Sequence, residues 1–182
     1  INPRPPLFSW SLALGGLSLS WLLEMPADEA TWWSVAAMPA VFGALIVLPL
    51  AAIAKNVHSK GAGILTAWLI ALMPGHISHA TFGLADHDSF ALLFLSMAFY
   101  YWVRALDNLG TERLFQNPNS SPLYLIAGIR ETWHRNPRAM AFATLSGISF
   151  ATVALGWKGF VYGPGILFLA YSGQIILNMF RK

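Results

Sequence analysis

Residues 30–54 read ATWWSVAAMPAVFGALIVLPLAAIA, a run of 25 residues without a charged side chain between Glu29 and Lys55. A helix needs about 20 mostly apolar residues to cross the hydrocarbon core of a bilayer. This run is long enough, and it ends on a basic residue of the kind that stays at the membrane surface. It therefore predicts a membrane-spanning helix at residues 32–54.

Four further runs of 15 to 25 uncharged residues follow along the chain. The shortest begins after Asp88 and is long enough for a span because Arg104 at its end can extend its charged head to the interface. The fold class expected is therefore all-α, a polytopic helical membrane protein with about five spans and one interfacial helix. The four additional spans are predicted near 61–81, 88–106, 139–156 and 159–180.

The composition of the whole chain agrees with this class. Of its 182 residues, 56% are hydrophobic and 10% charged, whereas soluble domains carry about 25% charged residues. The absence of cysteine excludes disulfides, thiolate metal ligands and cysteine nucleophiles from this stretch. With a net charge of +3 and no basic stripe, we expect no nucleic-acid partner.

Charge also orients the spans. With five spans, nine of the eleven basic residues fall on one side, which the positive-inside rule makes cytoplasmic. The domain organisation expected is an outer loop with an interfacial helix at 1–31, three spans at 32–106, a cytoplasmic segment at 107–138 and two spans at 139–182. The acidic loop 82–88 then faces the outer side. The prolines of residues 3–6 block helix formation before Leu7.

The triplet Asp86-His87-Asp88 is the clearest candidate for chemistry. Carboxylates at i and i+2 in an irregular loop can converge on one hard cation, Mg²⁺ or Mn²⁺, and His87 as a ligand favours Mn²⁺. The alternative is that Asp88 only caps a helix starting at Ser89 while Asp86 is solvated. The residues alone leave both interpretations open.

Two further histidines, His76 and His79, precede the triplet and share a helix face. They could join the aspartates in a cluster for a metal, a phosphate or a proton, or they could simply contact lipid headgroups. Ionisable residues within a membrane often mark ion paths, so an ion-coupled transporter using His76, His79, Asp86 and Asp88 is the second class of function considered. The position of the aspartates at a span boundary and the lack of a visible repeat count against it.

Three stretches, taken in order, carry a resemblance to a known family. Residues 74–92 read PGHISHATFGLADHDSFAL, residues 38–49 read MPAVFGALIVLP, and residues 156–162 read GWKGFVY. Together they resemble the catalytic membrane subunit of the oligosaccharyltransferases, with its acidic triplet, its second span and its outer W-G-G-Y connection. The resemblance implies a family C glycosyltransferase-like transmembrane domain of a single-subunit, archaeal-like enzyme.

The activity implied is transfer of a glycan from a dolichyl phosphate or pyrophosphate carrier to the Asn of N-x-Ser/Thr in an acceptor polypeptide, with Mn²⁺ or Mg²⁺ as cofactor. The resemblance also implies a plasma-membrane protein whose active site lies on the outer face. The remaining parts of such an active site, a first acidic motif, a Glu-bearing loop and a W-W-D-Y-G domain, are expected before Ile1 and after Lys182. Residues 1–182 are thus expected to be part of a larger transmembrane domain.

The resemblance assigns roles to individual residues. Asp86 and Asp88 take the places of the catalytic carboxylates that bind the metal and the acceptor, with His87 as a further metal ligand. His79 stands where many members have Arg, and it is expected near the donor phosphate. Residues of the second outer connection are also expected at the lipid-linked donor: Trp157, Lys158 and Tyr162. Lys158 replaces a small residue of the family pattern, so its role is inferred from its charge.

Overall fold

In a computed structural model the backbone is described for residues 6–84, 86–109 and 130–180. Outside short connections these residues are helical, and none of them forms a strand. A helical segment at 130–135 precedes α6, and a 3-10 turn at Lys158–Val161 joins α6 to α7. The α-helices are α1 (Leu7–Leu23), α2 (Ala27–Val57), α3 (Lys60–Leu72), α4 (Pro74–His79), α5 (Asp88–Leu109), α6 (Pro137–Gly156) and α7 (Tyr162–Phe180).

The protein is an all-α membrane protein, as the sequence predicts. Three of the described helices, α2, α5 and α6, are long and apolar enough to cross a bilayer, while α1 and α3 are shorter apolar helices. Large apolar side chains on their outward faces are exposed, as lipid-facing residues are. The number of five spans remains a prediction, and most of the expected cytoplasmic segment 107–138 lies outside the described residues.

The second expected span, 61–81, is interrupted. Helix α3 ends at Leu72, Met73 is extended with φ −70° and ψ 116°, and α4 begins at Pro74. Because the ring of a proline disfavours helical backbone at the preceding residue, Pro74 separates the apolar run into two helices. The short helix α4 then leads into the acidic loop.

Helix α2 is the centre of the N-terminal half. Helix α1 runs antiparallel along its first part, where the Ser34 hydroxyl donates to the Leu12 carbonyl at 2.7 Å. Helix α3 packs on its last part, where Gly63 lies so close to the Ala51 carbonyl that a Cβ would be 2.9 Å from that oxygen. Small residues at such contacts allow membrane helices to approach closely.

Helix α5 lies between α2 and α6, and its contacts with them determine the position of its first turn, where the acidic loop ends. The Ser146 hydroxyl of α6 donates to the Ala98 carbonyl of α5 at 2.8 Å. One turn into α5, Phe90 is 2% exposed, with its ring 5.3 Å from that of Phe42 and in contact with Gly156. The start of α5 is therefore held beside the middle of α2 and the end of α6.

Candidate functional site

The acidic loop connects α4 to α5. Gly83 has a φ of +87°, a left-handed value that favours glycine, and it turns the chain back after α4. Helix α5 begins at Asp88, whose backbone N–H donates to Asp86 Oδ1 at 3.2 Å. Asp86 thus accepts a bond at the start of the helix, a place that the structural interpretation assigns to Asp88, and the choice between a structural and a metal-binding role stays open.

Three side chains converge in this loop. His79 Nδ1 lies 2.7 Å from Asp86 Oδ2 and 3.6 Å from Asp88 Oδ2. Each of the three residues offers a nitrogen or oxygen atom within 4.8 Å of the other two. We call His79, Asp86 and Asp88 the acidic triad. The sequence singles out both aspartates and allows a cluster that includes His79, whereas the family resemblance implies a place for His79 near the donor phosphate.

The short contact between His79 and Asp86 shifts the pKa of both groups, which lie outside the spanning helices. The hydrogen bond to Asp86 raises the pKa of His79 above its ordinary 6.5, and the negative charges of Asp86 and Asp88 reinforce this against desolvation. Partial burial raises the pKa of Asp86, but the hydrogen bonds from His79 and the Asp88 N–H, with nearby histidine charge, outweigh it and lower the pKa below 3.8. A carboxylate so stabilised is ionised at neutral pH and ready to hold a cation.

His87 occupies the other side of the two carboxylates. Its Nδ1 lies 3.4 Å from Asp86 Oδ1 and its Nε2 lies 3.7 Å from Asp88 Oδ1. The ring centroid lies 6.2 Å from that of Phe8. His87 is thus close to the acidic triad without belonging to the group whose donor atoms are all mutually near, and its role as a metal ligand stays a prediction.

The structure directs His76 elsewhere. Its Nε2 lies 3.1 Å from the carbonyl oxygen of Gly43 in α2, and since a carbonyl can only accept, Nε2 carries the hydrogen. The expected cluster of two histidines with two aspartates is therefore divided: His79 contacts Asp86, and His76 contacts the backbone of α2. Spacing alone could not show this, because both residues lie near the same face of α4.

The second outer connection lies beside the first turn of α5. The rings of Trp157 and Tyr162 lie 6.0 Å apart, and Gly159 packs under the Trp157 ring. Gly156 reaches this region through its contact with Phe90, two residues after Asp88. Lys158 is the first residue of the 3-10 turn. The structure thus brings together Trp157 and Tyr162, the two aromatic residues expected at the donor, and their role there remains a prediction.

The acidic triad fits a hard divalent cation. Ligands at about 2.1 Å from an octahedral ion lie roughly 3 to 4 Å from one another, and the three donor atoms meet within 4.8 Å. Two carboxylates and one imidazole suit Mn²⁺ and Mg²⁺, with the nitrogen favouring Mn²⁺. A bound ion would replace the proton shared by His79 and Asp86, since ligands must be deprotonated.

Fold and site together define an all-α membrane protein with a His/Asp/Asp group where its helices end. Comparison with known families makes this specific: the family described as "Oligosaccharyl transferase STT3, N-terminal" matches residues 22–180. The chain belongs to the STT3 oligosaccharyl transferase family, as the resemblance of its three stretches implies.

Relatives with assigned names agree with the family. The chain is 28% identical over 153 residues to "Dolichyl-phosphooligosaccharide-protein glycotransferase 3" of Archaeoglobus fulgidus, which covers 81% of this chain and 16% of that protein. It is 26% identical over 157 residues to "Dolichyl-monophosphooligosaccharide--protein glycotransferase AglB" of Haloferax volcanii, covering 85% of this chain and 14% of the relative. The chain therefore spans about one seventh of the length of these relatives.

A shorter match links the chain to eukaryotic members. It is 35% identical over 51 residues to the STT3 subunit of the dolichyl-diphosphooligosaccharide--protein glycosyltransferase of Saccharomyces cerevisiae, covering 28% of this chain and 7% of that protein. No solved structure matches the chain significantly. The transporter interpretation gains no support from these findings.

Proposed function

We propose that the protein containing this chain is an oligosaccharyltransferase that moves a glycan from a dolichyl phosphate or pyrophosphate carrier to the Asn side chain of an N-x-Ser/Thr sequon. Family membership and the names of two archaeal relatives support this reaction class. The observation that carries the proposal is the convergence of His79, Asp86 and Asp88 at the start of α5. The chain supplies one acidic loop of the active site.

The two aspartates have different surroundings, and we assign them different roles. Asp86 is 21% exposed and already holds His79 and the Asp88 N–H, so it is a fixed ligand. Asp88 is 37% exposed and has a carboxylate free of helix capping, so it is the group that reaches the acceptor. It accepts an N–H of the acceptor amide, which weakens the conjugation of the nitrogen lone pair and prepares it as a nucleophile.

In the transfer, the amide nitrogen bonds to the anomeric carbon and the bond from that carbon to the carrier phosphate breaks, leaving its electron pair on the phosphate oxygen. Asp88 takes the proton that the amide loses. Asp86, Asp88 and His79 would hold a divalent cation, Mn²⁺ or Mg²⁺, which when bound would supply positive charge to stabilise the leaving phosphate. His87 approaches the same carboxylates and screens their negative charge when it is protonated.

The connection between α6 and α7 serves the donor. Trp157 and Tyr162 form an aromatic pair that packs near the start of α5, and the Lys158 ammonium suits a phosphate. The carrier's polyprenyl chain lies along the exposed apolar helices, which face lipid. Because the acidic loop is on the side opposite the basic residues, the active site faces the outer side of the plasma membrane.

The test is activity of the complete protein on a peptide with an N-x-Thr sequon and a dolichyl-linked glycan. Asp86→Asn keeps the size of the side chain and removes its charge, so transfer should fall at least about 100-fold, the upper range for loss of a group that only supports a metal ligand. Asp28→Asn, the same change at an exposed aspartate in the first turn of α2, should keep full activity.

Metal dependence has its own measurement. Chelation should stop transfer by the parent protein, and added Mn²⁺ or Mg²⁺ should restore it. If Asp86→Asn and Asp28→Asn were equally active, or if the chelated protein retained its rate, the metal site in this loop would be excluded. Loss of activity in both variants would show that acidic residues outside the triad are equally required, which would also contradict the proposal.

A further inference from the structure

Two hydrogen bonds tie the acidic loop to the middle of α2, one on each side of His79. His76 Nε2 donates to the Gly43 carbonyl at 3.1 Å, and the Gly83 N–H donates to the Ala36 carbonyl at 2.9 Å. Between these bonds Ala80 packs directly on Gly43, where an added Cβ would overlap the Ala80 side chain. We call these three contacts the loop latch.

The sequence of α2 explains why this contact is made there. Pro39, which is buried, has no N–H and so cannot donate to the carbonyl of Val35, four residues earlier. Ala36, in the turn before Pro39, accepts from Gly83. Gly43, one turn after Pro39, has no side chain and lets α4 approach the helix backbone. Gly43 therefore provides the space for close approach, and the carbonyls of Ala36 and Gly43 accept the two bonds from the loop.

Helix α4 needs such support. It has six residues, and isolated helices this short are unstable because nucleation costs more than so few hydrogen bonds return. His79, its last residue, is 51% exposed and so is not positioned by burial. The position of the imidazole relative to Asp86 and Asp88 thus depends on how the ends of the segment are attached to α2.

We propose that His76 is a positioning residue of the metal centre, which through the loop latch places His79 against the two aspartates. This rests on the proposed function, which it deepens. Metal ligands must be held close to their productive geometry, and the groups that orient them affect metal affinity. His76 is not among the residues whose donor atoms converge in the acidic triad, and its Nε2–H is directed to the Gly43 carbonyl.

Substitution of Gly43 tests the positioning role directly, because the residue that a new side chain would meet is known to be Ala80. In the complete protein, Gly43→Ala should weaken Mn²⁺ binding about 10- to 100-fold, the range found when supporting groups of a metal site are removed. Gly75→Ala, the same change in α4 at a position with nothing within 4 Å of the new Cβ, should bind like the parent. Gly43→Ala combined with Ala80→Gly should regain most of the affinity, because the overlap is removed.

Two substitutions of His76 test its hydrogen bond to the Gly43 carbonyl. His76→Gln retains an N–H donor at nearly the position of Nε2 and should keep Mn²⁺ binding, whereas His76→Met has a similar size and no donor and should weaken it. Dissociation constants for Mn²⁺ are measured by calorimetry. Thermal unfolding of each variant without metal shows whether the fold is intact.

A metal-free measurement separates this proposal from the proposed function. In the ¹⁵N spectrum of labelled histidine, His76 of the parent should show a hydrogen-bonded Nε2–H that is lost in Gly43→Ala and regained in the double variant. If the parent shows this bond and binds no Mn²⁺, the proposed metal centre is excluded, whereas the contacts of the loop latch are confirmed. If Gly43→Ala and His76→Met bind Mn²⁺ as tightly as the parent, the positioning role is excluded.

Discussion

His79 is the residue whose interpretation changes most between sequence and structure. From the sequence it could join the aspartates or contact lipid headgroups, and the family resemblance implies a position near the donor phosphate. In the structure its Nδ1 lies 2.7 Å from Asp86, so without a metal it supplies the positive charge of an ion pair. A histidine can provide this charge and can also give it up to bind a metal, which a permanently charged arginine cannot do.

The ion pair between His79 and Asp86 stabilises the metal-free protein over a defined pH range. Because the folded-state pKa of His79 is raised above 6.5, its contribution to stability is fully present below pH 6.5 and is lost as pH rises through the raised value. Because the pKa of Asp86 is lowered below 3.8, its contribution is present above that pH and is lost as pH falls through the lowered value. The ion pair is therefore strongest between the two folded-state values.

NMR titration of labelled histidine in the metal-free protein measures this directly. His79 should titrate above 6.5, since Asp86 favours its charged form. Asp86→Asn should move the pKa of His79 back towards 6.5, whereas Asp28→Asn should leave it unchanged. A pKa of His79 at or below 6.5 in the parent would contradict the short contact with Asp86.

At the scale of elements, buried serines mark where helices touch. Ser146 and Ser149 of α6 are both 5% exposed, but their bonds differ. Ser146 donates across the interface to Ala98 of α5 at 2.8 Å, whereas Ser149 donates to Leu145 of its own helix at 2.9 Å. Only the first bond joins two helices, so only the first contributes to their packing.

Because of this difference, replacing serine by alanine should have unequal effects at positions 146 and 149. Ser146→Ala should lower the free energy of unfolding by about 0.6 kcal/mol, the average for hydrogen bonds between membrane helices. Ser149→Ala should change it little, because a serine bonded to its own helix carbonyl contributes almost nothing to helix stability. Unfolding by SDS in bicelles measures both values. Equal losses would mean that burial of the serine, rather than its partner, sets the effect.

At the scale of the whole molecule, the break at Met73 and the loop latch place the acidic triad beside the middle of α2 rather than at its end. Helix α1 and the first part of α2 extend past the loop as an antiparallel pair with exposed tryptophans, among them Trp10, Trp21 and Trp32. Tryptophans are enriched at membrane interfaces.

Cysteine labelling tests the orientation on which the outer-face site depends. This stretch has no natural cysteine, so a single introduced thiol reports its own side once any others in the complete protein are replaced. A membrane-impermeant maleimide on intact cells should label Leu84→Cys in the acidic loop and should label His58→Cys, between α2 and α3, only after permeabilisation. Both positions are exposed. The opposite pattern would place the acidic loop inside the cell.

The sequence by itself determined the all-α membrane class and singled out the two aspartates as a candidate site, because hydropathy, proline positions and a D-x-D spacing act over a few neighbouring residues. Even the break at Met73 has a local cause, the proline that follows. Only the tertiary structure decided that His79 joins the aspartates and that His76 turns to Gly43, 33 residues away in the chain. Such contacts depend on which helices lie side by side, and that is fixed by packing across the whole fold rather than by any local pattern.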